Sequence, residues 1–110
     1  MSKYGAVKTN GYASKREAKR AADLKLLEKA GKIFELREQV TYVLADAVTV
    51  QGRRRPSLRY IADFVYLVPV PGNSGMRHEV VEDCKGFRTP EYRIKRHLMK
   101  SVLNIDILET

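Results

Sequence analysis

Tyr60-Ile61-Ala62-Asp63-Phe64-Val65-Tyr66 reads as a β-strand with an acid set into its middle. Aromatic and β-branched residues suit a pleated surface, and the run extends from Leu58 to Val68 without a break. Residues two apart share a face of a sheet, which predicts Ile61, Asp63, Val65 and Leu67 on one side and a carboxylate among apolar neighbours. A second β-rich run, Met76 to Lys85, follows the turn-rich Pro69 to Gly75 and makes a hairpin with the first. In that run Val81, Asp83 and Lys85 share one face, while Val80, Glu82 and Cys84 share the other. Two acids and a lysine at the end of an apolar hairpin require mutual pairing or a bound cation, because lone buried charges are costly.

Outward from this hairpin the chain reads as alternating helix and strand. Ser14-Lys15-Arg16-Glu17 is a capping box opening a helix, with Ala18, Ala21, Ala22, Leu24, Leu26 and Leu27 in helical pattern up to Gly31. Ile33 to Leu44 alternates as a strand interrupted at Glu38, so a bent or divided strand is expected. Ala47 to Val50 leads into Gln51-Gly52-Arg53-Arg54-Arg55-Pro56, which reads as a hairpin loop carrying three cations at its tip. These arginines face phosphates or merely solvent, and the motif alone leaves both readings open. Thr89-Pro90-Glu91 caps a second helix whose apolar stripe is expected at Ile94, Leu98 and Val102, with Arg93, Lys95, Arg96 and Lys100 outside. Asn104 ends it, and a short strand, Ile105 to Leu108, follows. Residues 1–12 read as a flexible basic arm, leaving 13–110 as a single domain.

The chain has 110 residues, 44% of them hydrophobic, and a formal net charge of +8, so one domain with a core and a polyanionic partner are expected. One cysteine, Cys84, rules out an intramolecular disulfide and a cysteine-based zinc site, which points to the cytoplasm. The longest apolar stretch, around Phe64 to Val70, is too short to cross a bilayer as a helix, so no membrane partner is expected. A chain this small widens its binding surface by pairing with a second copy, and a homodimer is one assembly that suits it.

Asp63, Asp83 and the backbone carbonyl of Cys84 are the oxygen donors a Mg²⁺ ion accepts alongside waters and phosphate oxygens, with Mn²⁺ as a substitute. Lys85 beside them would orient or deprotonate an attacking water, or stabilise a pentavalent phosphorus electrostatically, and the sequence does not choose between these roles. Glu17 lies in line with Ala21 and Leu24 and leans toward the buried side, so it is either a further ligand or the capping-box acid of Ser14. Glu82 is the rival of Asp83, since a bulge would exchange their faces, although parity with Lys85 favours Asp83. Glu79 reads as solvated or supporting, and His78 and His97 as surface or packing residues.

Asp63 followed by Asp83-Cys84-Lys85-Gly86 resembles the D-x(n)-(D/E)-x-K signature of the PD-(D/E)xK nuclease superfamily, which includes restriction enzymes, Holliday junction resolvases and very-short-patch-repair endonucleases. Ser14 to Ala18, Tyr60 to Phe64 and Val81 to Tyr92 are similar to small phage and prophage proteins placed in that superfamily. The resemblance implies an α/β fold, a restriction-endonuclease-like αβββαβ core with a mixed sheet flanked by helices. It implies a Mg²⁺-dependent DNA endonuclease, structure-selective for branched or junction DNA, in a bacterial host cytoplasm with phage or host recombination or repair proteins as partners. Asp63, Asp83 and Glu17 would be its acids, with Cys84 contributing a carbonyl, and Lys85 its catalytic lysine. Arg53, Arg54 and Arg55, with Tyr92, Arg93, Lys95, Arg96 and Lys100, would hold the flanking phosphates. Ala62 stands where the signature has its proline, a position where proline would be costly within a strand. The competing expectation is a non-catalytic basic nucleic-acid-binding protein on a nuclease-derived fold.

Overall fold

Ser14 caps the first helix as its sequence predicts: its Oγ accepts the Glu17 backbone N–H at 3.1 Å. The helix, α1 (Lys15–Lys29), stops short of Gly31, whose φ of 74° is the left-handed conformation glycine adopts freely. The computed structural model describes residues 11–110, so the expected arm over residues 1–10 lies outside the described residues. Tyr12, assigned to that arm, instead packs against the core beneath α1, and its hydroxyl accepts a hydrogen bond from Lys25 Nζ at 3.0 Å.

The chain continues as β1 (Phe34–Ala45), β2 (Val48–Val50), β3 (Arg53–Arg55), β4 (Leu58–Pro69), β5 (Arg77–Asp83), α2 (Pro90–Leu103) and β6 (Ile107–Glu109). Four strands form one mixed sheet in the order β1-β4-β5-β6, antiparallel except for the parallel β5–β6 pair. Strands β2 and β3 form a separate two-stranded ribbon. The fold is therefore mixed α/β. One apolar cluster, Ala21, Leu24, Ile33, Phe64 and Tyr66, joins α1 to one face of the sheet. A second, which includes Leu44, Ala62, Val65, Val81 and Met99, joins α2 to the other. Among the described residues no helix is long and apolar enough to cross a membrane.

Strict alternation fails at the middle of β4. Ala62 and Val65 belong to the cluster on the α2 side, whereas Phe64 and Tyr66 belong to the α1 side, so the faces slip by one residue at Asp63. The same slip occurs on β1, where Leu36 packs on the α1 side and Val40 and Tyr42 on the α2 side. Between them Gln39 takes φ 53°, at the gap between the Glu38–Phe64 and Val40–Ala62 pairs. This corrects the expectation that Ile61, Asp63 and Val65 share a face: Ile61 is 50% exposed, and Asp63 is buried.

Two further expectations change. The turn of the ribbon is Gln51-Gly52, both at positive φ (49° and 76°), the type I′ geometry that matches strand twist. Arg53, Arg54 and Arg55 therefore form strand β3 and are not its tip. In α2 the buried residues are Tyr92 and Met99, with Leu98 partly buried, while Ile94 and Val102 are exposed. A stripe at seven-residue spacing competes with one at four, and the stems of Lys95 and Arg96 complete it between Tyr92 and Met99. Thr89 and Asn104 cap this helix as expected: the Thr89 Oγ1 accepts the Tyr92 N–H at 3.1 Å, and Asn104 is left-handed at φ 56°.

Candidate active site

The antiparallel register of β4 and β5 pairs Phe64 with Glu82, so the next position brings Asp63 opposite Asp83. Both are buried, at 1% and 0% exposure. Each carboxylate therefore disfavours ionisation of its neighbour, and Asp63 raises the Asp83 carboxyl. Cys84, just past the end of β5, donates its backbone N–H to Asp63 Oδ2 at 3.0 Å. Tyr60, three residues before Asp63, donates its hydroxyl to Asp83 Oδ2 at 2.5 Å. The other oxygen, Asp83 Oδ1, is buried and accepts no hydrogen bond from the described residues; Lys85 Nζ stands 3.4 Å away.

Electrostatics follow from this packing. Burial, then the hydrogen bond and charge of Asp63, push the Asp83 carboxyl up to about 7 against the opposing pull of Tyr60 and Lys85. Burial and the neighbouring Asp83 push the Tyr60 hydroxyl far above its ordinary value, so it remains a donor at every accessible pH. Burial also raises the Cys84 thiol. Lys85 lies 4.6 Å over the ring of Tyr92 and reaches a cleft of about 430 Å³ lined by Tyr60, Ile61, Thr89, Tyr92 and Lys95 among others. The cleft gives this lysine a route to solvent from beside a buried acid.

The remaining acids separate clearly. Glu82, the rival ligand, points to the α1 side and is fully engaged. It accepts Arg20 Nε at 2.6 Å and a second Arg20 nitrogen at 3.0 Å, the Tyr66 hydroxyl at 2.6 Å and the Thr110 hydroxyl at 2.9 Å. Glu17 is buried, with its Oε2 accepting Gln39 Nε2 at 3.5 Å, next to the slip opposite Asp63. Among the described residues no three His, Cys, Asp or Glu side chains gather into a metal-sized cluster. Glu79 is partly exposed and meets Arg37 at 3.3 Å and the Tyr42 hydroxyl at 3.4 Å, as a solvated acid should.

The expected phosphate contacts divide into two groups. Arg53, Arg54 and Arg55 are exposed and make no ion pair among the described residues. Those of α2 are largely committed within the chain: Lys95 to Glu91 at 3.1 Å, Arg96 to Glu109 at 2.9 Å and Lys100 to Asp106 at 2.9 Å. Arg93 alone of the four makes no ion pair among the described residues. Tyr92 is buried at the floor of the cleft, and its hydroxyl donates to Glu109 Oε2 at 2.6 Å. Burial tends to raise Glu109, but hydrogen bonds from Tyr92, Arg96 and Arg88 outweigh it and hold the carboxyl at about 2.

Sequence reasoning missed Tyr60, Arg20 and Glu109. Tyr60 offered one signal, a hydroxyl in the same strand as the buried acid. Arg20 lies three residues after Glu17 on the same helical turn, a spacing that shares a face, and a buried Glu82 needs such a cation.

The donor set suits a hard divalent ion. Two adjacent carboxylates that can ionise together only at a cost, and one buried oxygen without a hydrogen bond, are relieved by a cation held between them. Asp63 and Asp83 are the residues that would hold it.

A family model described as "Protein of unknown function (DUF1064)" matches residues 1–105. The chain belongs to the DUF1064 family. No curated protein and no solved structure matches it. The DUF1064 match includes Glu17, Asp63, Asp83 and Lys85, whereas Glu109 and Thr110, which anchor Tyr92 and Glu82, lie beyond it.

Proposed function

We propose that this DUF1064 chain is a metal-dependent nuclease that hydrolyses DNA phosphodiester bonds. One observation carries the reading: a buried Asp63–Asp83 pair with an unsatisfied Asp83 Oδ1 and Lys85 Nζ 3.4 Å from it, beside a cleft. The element order, helix, three long strands, helix and a last strand parallel to its neighbour, supports the restriction-endonuclease-like core that the sequence resemblance implies.

The chain's residues have distinct tasks in this reading. The Cys84 N–H fixes Asp63 through Oδ2, and Tyr60 fixes Asp83 through Oδ2, so each carboxylate is oriented by a neutral donor, and Asp83 Oδ1 is left toward Lys85. Asp63 and Asp83 would hold a divalent ion, which when bound would polarise the phosphoryl group and lower the pKa of an attacking water. Lys85 sits where its ammonium offsets charge developing on the phosphate oxygens, with Tyr92 beneath it limiting its motion. Branched DNA remains the substrate class that the resemblance suggests.

The test is incubation of linear, single-stranded, flap and four-way DNA with Mg²⁺ or Mn²⁺, beside Asp83→Asn and Lys85→Ala. Cleavage by the parent protein, reduced by about 100-fold or more in both variants with DNA affinity retained, supports the proposal. Binding without cleavage on every substrate would leave a non-catalytic DNA-binding protein.

A further inference from the structure

The β2–β3 ribbon is not used by the site just described, nor does it belong to the main sheet. It consists of three cross-strand pairs, Val48 with Arg55, Thr49 with Arg54 and Val50 with Arg53, closed by the type I′ turn at Gln51-Gly52. Directly paired residues of an antiparallel ladder point to the same side. One face therefore carries Val48, Val50, Arg53 and Arg55, and the other Thr49 and Arg54. All six are exposed, including both valines at 55% and 48%. No ion pair with a described residue occupies any of the three guanidinium groups, in contrast to Lys95, Arg96 and Lys100 of α2.

We propose that this ribbon is a groove-binding arm that enters the major groove of B-form duplex DNA, with the Val48–Val50–Arg53–Arg55 face turned inward. The inference rests on DNA being the partner, as the preceding reading holds, and specifies duplex as the form that is gripped. Three physical points carry it. The major groove of B-DNA admits a two-stranded ribbon, whereas the A-form RNA major groove is too deep and narrow for side chains to read. Three arginines uncommitted to any described acid, on so short a ribbon, match the phosphate walls and the guanine acceptors of that groove. Two exposed valines between them supply the apolar contact that a thymine methyl takes.

The ribbon also joins the main sheet at the right place. Ser57, Leu58 and Arg59, which follow it, line the same cleft as Lys85. Four residues lie between Arg55 and Tyr60, so their Cα atoms are at most about 18 Å apart in extended chain. That is about half a helical turn of duplex, so DNA held in the ribbon passes close to the acidic pair.

The test is equilibrium binding by the full chain in EDTA, which separates it from catalysis, using a DNA duplex two turns long, the matching RNA duplex and the single strand. The variants are Arg53→Ala/Arg54→Ala/Arg55→Ala together, Arg53→Ala/Arg55→Ala, Arg54→Ala alone, and a charge-matched control, Lys15→Ala/Lys29→Ala/Lys32→Ala. All these positions are exposed, and circular dichroism checks that each variant folds. The triple ribbon variant is expected to bind duplex DNA at least about tenfold more weakly in moderate salt. The slope of log affinity against log salt should become shallower by between about one and three, near 0.9 for each phosphate that is no longer neutralised. The Arg53/Arg55 pair should account for more of the loss than Arg54, single-strand affinity should change little, and the parent should prefer DNA duplex to RNA duplex. Equal losses on single and double strands, equal losses in the control, or equal binding of RNA duplex would each overturn the proposal. A chain that grips duplex through the ribbon yet cleaves nothing would leave this inference standing and remove the nuclease reading.

Discussion

At the scale of single residues, Asp83 links stability to pH. Its carboxyl is raised from 3.8 to about 7, chiefly by burial and by Asp63. Between those limits the folded chain keeps a proton that the unfolded chain has lost, so stability falls as pH rises from about 4 to about 7 and levels above it. In EDTA the Tm is therefore expected to drop between pH 5 and pH 8, and Asp83→Asn, which is neutral throughout, should flatten that dependence. A divalent ion competes with the proton, so Mg²⁺ should raise Tm more at pH 8 than at pH 5.5 and should have no such effect on Asp83→Asn. A parent protein whose Tm is flat over this range would show that burial and Asp63 do not raise the Asp83 carboxyl. Asp63, Asp83 and Lys85 were legible as a set because charge in apolar strands is conspicuous. Tyr60 was not, because a tyrosine in a strand looks like ordinary core until its hydroxyl finds a partner.

Among the elements, α1 and β5 are joined by an ion pair between half-buried Arg20 and buried Glu82. Glu82 is fully buried, and Arg20 reaches it from the helix with two hydrogen bonds while Tyr66 and Thr110 fill its remaining acceptor positions. Arg20→Met should leave a buried carboxylate without its cation and lower stability by about 3 kcal/mol or more. Glu82→Leu in the same background should recover part of that loss, and urea denaturation midpoints measure both. Full additivity of the two changes would deny the coupling. Helix limits were readable because Ser14, Thr89, Pro90 and Asn104 act locally, within a few residues of the ends they determine. The slip on β1 was signalled by the broken alternation at Glu38, but the matching slip at Asp63 was not readable, because it needs two strands to twist together. The buried side of α2 was misjudged for a related reason. Ile94, Leu98 and Val102 make a valid stripe, but Tyr92 gains a hydroxyl partner in Glu109 and Lys95 and Arg96 can lay their stems along the sheet.

Over the whole molecule, the +8 charge matters less than where cations remain uncommitted. Counting basic residues along the sequence made α2 look like the main phosphate-holding surface. Folding instead sets Lys95, Arg96 and Lys100 against Glu91, Glu109 and Asp106, and leaves Arg93 as that helix's cation without an ion pair among the described residues. An arginine already spent on a carboxylate releases few counterions from DNA when it approaches, because the internal pair must first be weakened. Arg93→Ala should therefore make the salt slope of DNA binding shallower by about 0.9 and leave Tm nearly unchanged. Arg96→Ala should do the reverse: it removes one of the donors that hold Glu109 and, through it, Tyr92, so Tm should fall while the slope stays within error. Thermal melts and salt titrations on the two variants give four numbers, and a slope change for Arg96→Ala as large as that for Arg93→Ala would return the phosphate contacts to the paired face of α2.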